Sequence, residues 1–387
     1  RRTVSGSRYS MLETLRAFGV DRLAEHGESE TVGDVATAYT LDVLTRAERG
    51  LDTEDEPVFT DRMHQELPNV RAARARLVDQ DRLGELVELC RLLARWSRMR
   101  SASEVWSWYD DLLGRLPADD PRRPTALALH AQAAWRRGDI VTAQTAATAS
   151  LESTGDDWTR FLALGELGTA LLFGGHLEGA RRTWVDQSTL RHDGIALGSA
   201  AVAAAYAGDI DGARALVADG RRGTAMPASS ASWLDYCEAE AENTVGAADP
   251  AILERAIERA QVLDSSFIVG VATVTLATLL DSLGDVPGAA GRYRDLISHW
   301  LRSGSWTQLW TTLRHVAELI EETSPETALL ILRVAAGDDA SAPALAPSVA
   351  SHLEALEERL EKRARSDDLR PATRLEVAEH ARSALSR

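Results

Sequence analysis

The chain has 387 residues, 44% hydrophobic and 26% charged, which is enough apolar material for a sizeable core and argues against global disorder. Its formal net charge of -16 sets up a field that repels phosphate backbones, so direct DNA or RNA binding is not expected. Two cysteines without a CxxC, a single lysine (Lys362, followed by Arg363) and no apolar run of ~18 residues argue against thiolate zinc sites, a Walker A loop and a membrane span.

Apolar residues recur at helical spacing along nearly the whole chain, with Gly, Pro, Asp and Ser between the runs, so an all-α protein is predicted. Residues 9–26 and 30–49 read as helices, followed by an acidic turn around Asp52 to Pro57. Further helices are predicted at 58–79, 82–99 and 102–116, and Pro117 to Arg123 reads as a polar linker and domain boundary.

Beyond the linker a repeat emerges: a glycine, usually a turn residue, then an alanine five residues after the glycine. It runs through Gly138 with Ala143, Gly175 with Ala180, Gly208 with Ala213, Gly246 with Ala251, and Gly284 with Ala289. A sixth copy at Thr323 with Ala328 lacks the glycine. The glycine suits the left-handed turn that ends a helix, and the Asp that often follows can cap the next one. The alanine must be small where the two helices of a hairpin cross, and Trp184, Tyr293, Ile297 and Leu332 continue the same face. The fold class predicted is a right-handed superhelix of tetratricopeptide-like hairpins over residues 118–337, an α-solenoid, preceded by an N-terminal helical bundle over 27–117. After a small-residue loop, Ala340 to Pro347, helices at 347–365 and 371–386 would cap the array within residues 338–387.

Catalytic patterns are missing from the sequence. There is no HExxH, no GxSxG and no GxGxxG after a strand, and the histidines, among them His64, His130, His176, His192, His299 and His315, are scattered. The acid pairs Asp110-Asp111, Asp119-Asp120 and Asp338-Asp339 read as solvated turns. A non-enzymatic chain without cofactor or metal is therefore expected. Ten tryptophans against five phenylalanines stand out. They can fill wide gaps between helices, or, with arginine, line a concave binding groove. Candidates for the groove are Trp135, Trp158, Trp306, Gln308, Trp310 and Arg314.

Three segments carry a family resemblance: Arg8-Tyr9-Ser10-Met11-Leu12-Glu13-Thr14-Leu15-Arg16-Ala17-Phe18, running on to Leu23; Glu66-Leu67-Pro68-Asn69-Val70-Arg71-Ala72-Ala73; and Ser305-Trp306-Thr307-Gln308-Leu309-Trp310-Thr311-Thr312-Leu313-Arg314. They resemble the helical sensor arm of actinobacterial STAND-type signalling NTPases, whose relatives include SARP/AfsR-type, LuxR/MalT-type and cyclase-linked regulators. The resemblance implies that residues 1–26 are the remnant of a winged-helix junction with the first helix. It also implies that an NTPase and an output domain lie upstream, in keeping with a start that lacks an initiator Met. The expected task is cytoplasmic sensing of a small inducer or a protein partner. The alternative is a protein–protein scaffold or oligomerisation module, and homo-oligomerisation stays open.

Overall fold

The computed structural model describes residues 2–3, 6–7, 11–153, 155–222, 226–337, 347–364 and 372–386. Among the described residues, nineteen helices make up nearly all the regular structure, and a two-residue antiparallel ladder pairs Arg2–Thr3 with Gly6–Ser7. No helix among the described residues is long and apolar enough to cross a membrane.

After α1 (Glu13–Glu25), exposed along most of its length, four helices form the N-terminal bundle: α2 (Ser29–Gly50), α3 (Glu56–Asp79), α4 (Leu83–Arg98) and α5 (Ser103–Arg115). α4 is the most embedded, with Leu86, Leu89, Cys90, Leu92, Leu93 and Trp96 all buried. The Pro117 linker is a covalent boundary only. The apolar cluster of the bundle runs on through Leu116, Ala126, Leu129 and Leu162, so bundle and array share a core. Asp110 and Asp111, expected in a turn, lie inside α5. Asp110 pairs with His130 (2.7 Å) and Arg137, and Asp111 with Arg74 (2.5 Å) and Arg115 (2.9 Å). Asp338-Asp339 lies outside the described residues.

Six helix hairpins follow. The inner helices are α6 (Arg123–Arg136), α8 (Asp157–Phe173), α10 (Gly194–Tyr206), α12 (Ala228–Asn243), α14 (Ser266–Ser282) and α16 (Trp306–Leu319). Their outer partners are α7 (Ile140–Ser153), α9 (Leu177–Leu190), α11 (Ile210–Gly220), α13 (Pro250–Val262), α15 (Val286–Ser303) and α17 (Pro325–Ala335). The inner helices are apolar on most sides because neighbours flank them. In α10 every residue from Ile195 to Ala205 is buried.

The repeat glycines do what their spacing requires. Gly138, Gly175, Gly208, Gly246 and Gly284 all hold φ between 68° and 91°. The amide of the next residue closes each helix on the carbonyl five residues earlier, as in Asp139 to Ala134 (3.0 Å) and Asp285 to Leu280 (2.9 Å). Asp139, Asp209 and Asp285 then cap the following helix, accepting from Thr142, Gly212 and Gly288 at 2.9–3.0 Å.

The fourth unit departs from the expected alanine. Ala247 and Ala248 lengthen its turn, Asp249 becomes the cap by accepting from the Ala251 amide (2.9 Å), and Ala251 is exposed. The conserved distance within the array is from cap to buried residue: Ala143, Ala180, Ala213, Ala289 and Ala328 each follow their cap by one helical turn, and Leu253 takes that place in the fourth hairpin. The sixth hairpin forms without the glycine, with Ser324 at the start of α17.

Two C-terminal helices, α18 (Pro347–Glu361) and α19 (Arg374–Ala384), pack against the last hairpins. α18 is tied by Arg359 to Glu321 (2.9 Å) and by His352 to Glu318 (3.0 Å).

The array also closes on itself and on the bundle. The Phe267 amide donates to the Met99 carbonyl (3.2 Å), and the Ser101 amide to the Ser266 hydroxyl (2.8 Å). Arg100 donates to the Leu263 carbonyl (2.7 Å) and the Thr60 hydroxyl (3.0 Å). The Thr307 hydroxyl on α16 donates to the Trp135 carbonyl on α6. Glu56 accepts from the Ser229 amide (2.8 Å), so the bundle sits on the N-terminal ends of α12 and α14.

Candidate functional site

The inner helices of the hairpins surround a cavity of about 370 Å³. Side chains from α6, α8, α10, α12, α14 and α16 line it, joined by Arg98 and Met99 from the bundle and Leu353 from α18. Its size lies within the range of small-molecule sites, roughly 300–1,000 Å³.

One end is aromatic. Trp135 stacks with Phe173 (6.0 Å between ring centres) and meets Phe267 edge-on (5.9 Å). Trp233 stacks on Phe267 (6.0 Å) and packs against Tyr236 (5.0 Å). The indole N–H groups point into the protein: Trp135 donates to Glu166 (2.7 Å), Trp184 to the Gly165 carbonyl (3.3 Å) and Trp233 to the Ile195 carbonyl (3.1 Å). The three indoles contribute to the cavity lining. Arg136 is buried here, its guanidinium 4.1 Å from the Trp135 ring centre and 4.0 Å from that of Phe267, and it donates to the Arg98 carbonyl. Burial pulls its pKa down to about 9, which at neutral pH still leaves it charged. Burial likewise raises the pKa of Glu166, whose nearest cations are Arg98 and Arg136.

The other end is polar. Tyr206, Glu240, Asn243 and Thr244 lie at the C-terminal ends of α10 and α12, and Thr278, His315 and Glu318 on α14 and α16. The Tyr206 and Thr275 hydroxyls both donate to Glu240. Glu318 lies 3.0 Å from His352 and 3.6 Å from His315. Burial opposes its ionisation, but the two imidazoles outweigh that and hold its pKa below the usual carboxylate value.

Of the residues singled out by sequence, Trp135, Gln308 and Arg314 come together on this cavity. The others do not. Trp310 is fully buried in the array core, and Trp306 is half-buried beneath the Arg374 guanidinium of α19, 4.0 Å from the ring centre. Trp158 lies under Arg91 and borders a separate hollow of about 50 Å³ between bundle and array. The helix period explains the split. Trp306 and Trp310 share one side of α16, while Gln308, Thr311 and His315 share the opposite one. Tyr236, Phe267 and Trp233 were missed because aromatic residues at helical spacing look the same whether they fill a core or line a cavity. The repeat glycines sit in the turns, outside the cavity.

Among the described residues, no group of three or more His, Cys, Asp or Glu could hold a metal ion. Both cysteines are buried, and burial pushes the Cys90 thiol up to about 12. No protein-family model matches the chain, and no curated protein does.

Proposed function

We propose that the chain is a ligand-sensing arm: a helical-repeat module that binds a small molecule in its central cavity and passes occupancy to its N-terminal bundle. The observation that carries this reading is the position of the aromatic end of the cavity. Phe267 forms cavity wall, and its own amide donates to Met99 of the bundle segment, which lines the same cavity (3.2 Å). A ligand against Phe267 and Met99 therefore touches both sides of the seam where array and bundle meet. A ligand that prefers the closed seam shifts the array towards closure by its differential affinity for the two states.

The resemblance to STAND-type regulators supplies the wider setting. In it the arm is cytoplasmic, acts without catalysis of its own, and governs an NTPase and an output domain of the same protein. Backbone hydrogen exchange tests the coupling. With N-phenylnaphthylamine saturating the cavity as a surrogate ligand, the amides of Ser101 and Phe267 should exchange more slowly. Unchanged exchange at both would reduce the cavity to a passive site.

One observation favours the scaffold reading. Met11, Leu12, Leu15 and Phe18 at α1 are exposed, Phe18 to 60%, and Val35 and Tyr39 on α2 are exposed too. An apolar surface of that kind marks protein contact. Sedimentation of the wild type against Phe18→Glu tests whether a second copy occupies it, since only self-association would be reversed by the charge.

A further inference from the structure

The charge state of the ligand can be read from how the cavity wall is wired. Its charged groups are already committed within the protein. Glu240 accepts from two hydroxyls, and Glu318 is flanked by two imidazoles. Arg136 is held between rings and donates to a carbonyl, Arg98 lies 3.9 Å from Glu166, and Arg314 is also engaged. An ion buried among them would lose its hydration and would have to compete with these contacts for countercharge.

Two neutral polar groups are different. Gln308 is only 5% exposed and Tyr236 only 9%, and both line the cavity. Among the described residues, no hydrogen bond reaches the Gln308 carboxamide or the Tyr236 hydroxyl. Neither belongs to the polar atoms sealed off from solvent, so both stay open to the cavity. Buried polar side chains almost always find a partner, so two that face one hollow mark where a ligand supplies it. Each can both donate and accept.

We propose that the cavity takes an uncharged, ring-bearing small molecule, its ring against Trp135, Phe173, Trp233 and Phe267 and its polar atoms on Gln308 and Tyr236. This rests on the ligand-binding reading above and adds the chemical class. Area burial against those rings supplies the affinity, and the two hydrogen bonds fix the orientation.

A matched pair of fluorescent probes separates the two claims. N-phenylnaphthylamine is neutral, and anilinonaphthalene sulfonate has the same ring skeleton with an added anion. The neutral probe should saturate one site per chain and quench tryptophan emission, and the sulfonated one should bind about tenfold more weakly or worse, given the cost of burying an uncompensated ion. Gln308→Leu and Tyr236→Phe keep shape, and because the neutral probe offers one N–H, at least one of the two should weaken it by about two- to tenfold, the worth of one neutral hydrogen bond. Thr311→Trp, or Val274→Trp if the first does not fold by circular dichroism, should abolish the saturable signal by filling the cavity. Equal or tighter binding of the sulfonated probe, still blocked by Thr311→Trp, would overturn the uncharged class and leave the cavity reading standing. Unchanged affinity in both Gln308→Leu and Tyr236→Phe would remove the two anchors. Absence of saturable binding by either probe, or binding indifferent to the cavity-filling variants, would overturn both the class and the cavity as a ligand site.

Discussion

Single residues set the turns and the pH response. Gly284 holds φ +85° in a hairpin turn, where an L-residue is strained, so Gly284→Ala should cost roughly 1–2 kcal/mol. Gly291 lies inside helix α15 with nothing within 4 Å of a Cβ added there, so Gly291→Ala should stabilise by about 0.5–1 kcal/mol. Urea melts of the two variants should shift in opposite directions. Burial, then Arg100, holds His64 below its ordinary pKa, and burial, then Arg302, does the same for His299. The unfolded chain therefore takes up these protons at higher pH than the native one. The associated stability is present above the ordinary histidine value and is lost as pH falls from there through the lower folded values. Urea midpoints measured downward from neutral pH should fall, and His299→Gln should flatten the decline. The glycine turns were legible in the sequence because left-handed φ demands a particular residue. The His64 and His299 environments were not, because burial arises only when distant helices converge.

Element by element, the period-based reading holds where the chemistry is local. Caps and turns lie within a few residues of each other, so five hairpins follow from glycine spacing alone. It slips where a turn changes length: two extra residues before Asp249 move the buried position from Ala251 to Leu253. It also slips on α16, where tryptophan content drew attention to the face that packs inward and away from Gln308 and Thr311 on the cavity face. Helix contacts show a second use of glycine that spacing does not reveal. The Trp300 ring of α15 lies where a Cβ on Gly270 of α14 would stand, so these helices pack closely only because Gly270 has none. Gly270→Ala should force overpacking and cost about 1–3 kcal/mol, read as a lowered urea midpoint. An unchanged midpoint would mean that Trp300 can move aside freely.

Across the whole molecule, the consequential feature is closure. Six hairpins curve until α16 reaches α6 and α14 reaches the bundle segment at Met99 to Ser101, leaving a hollow lined mainly by apolar and aromatic side chains. The sequence could supply the number of hairpins and the class of fold. Closure depends on small angles summed over many helix contacts, and no single motif encodes it. We propose this hollow as a binding site. Native mass spectrometry of the purified chain under gentle activation, after incubation with a small-molecule extract, tests it most directly. The wild-type chain should carry a discrete added mass that is absent from folded Thr311→Trp. A wild-type chain that stays bare, or an adduct that survives the filled cavity unchanged, would contradict it.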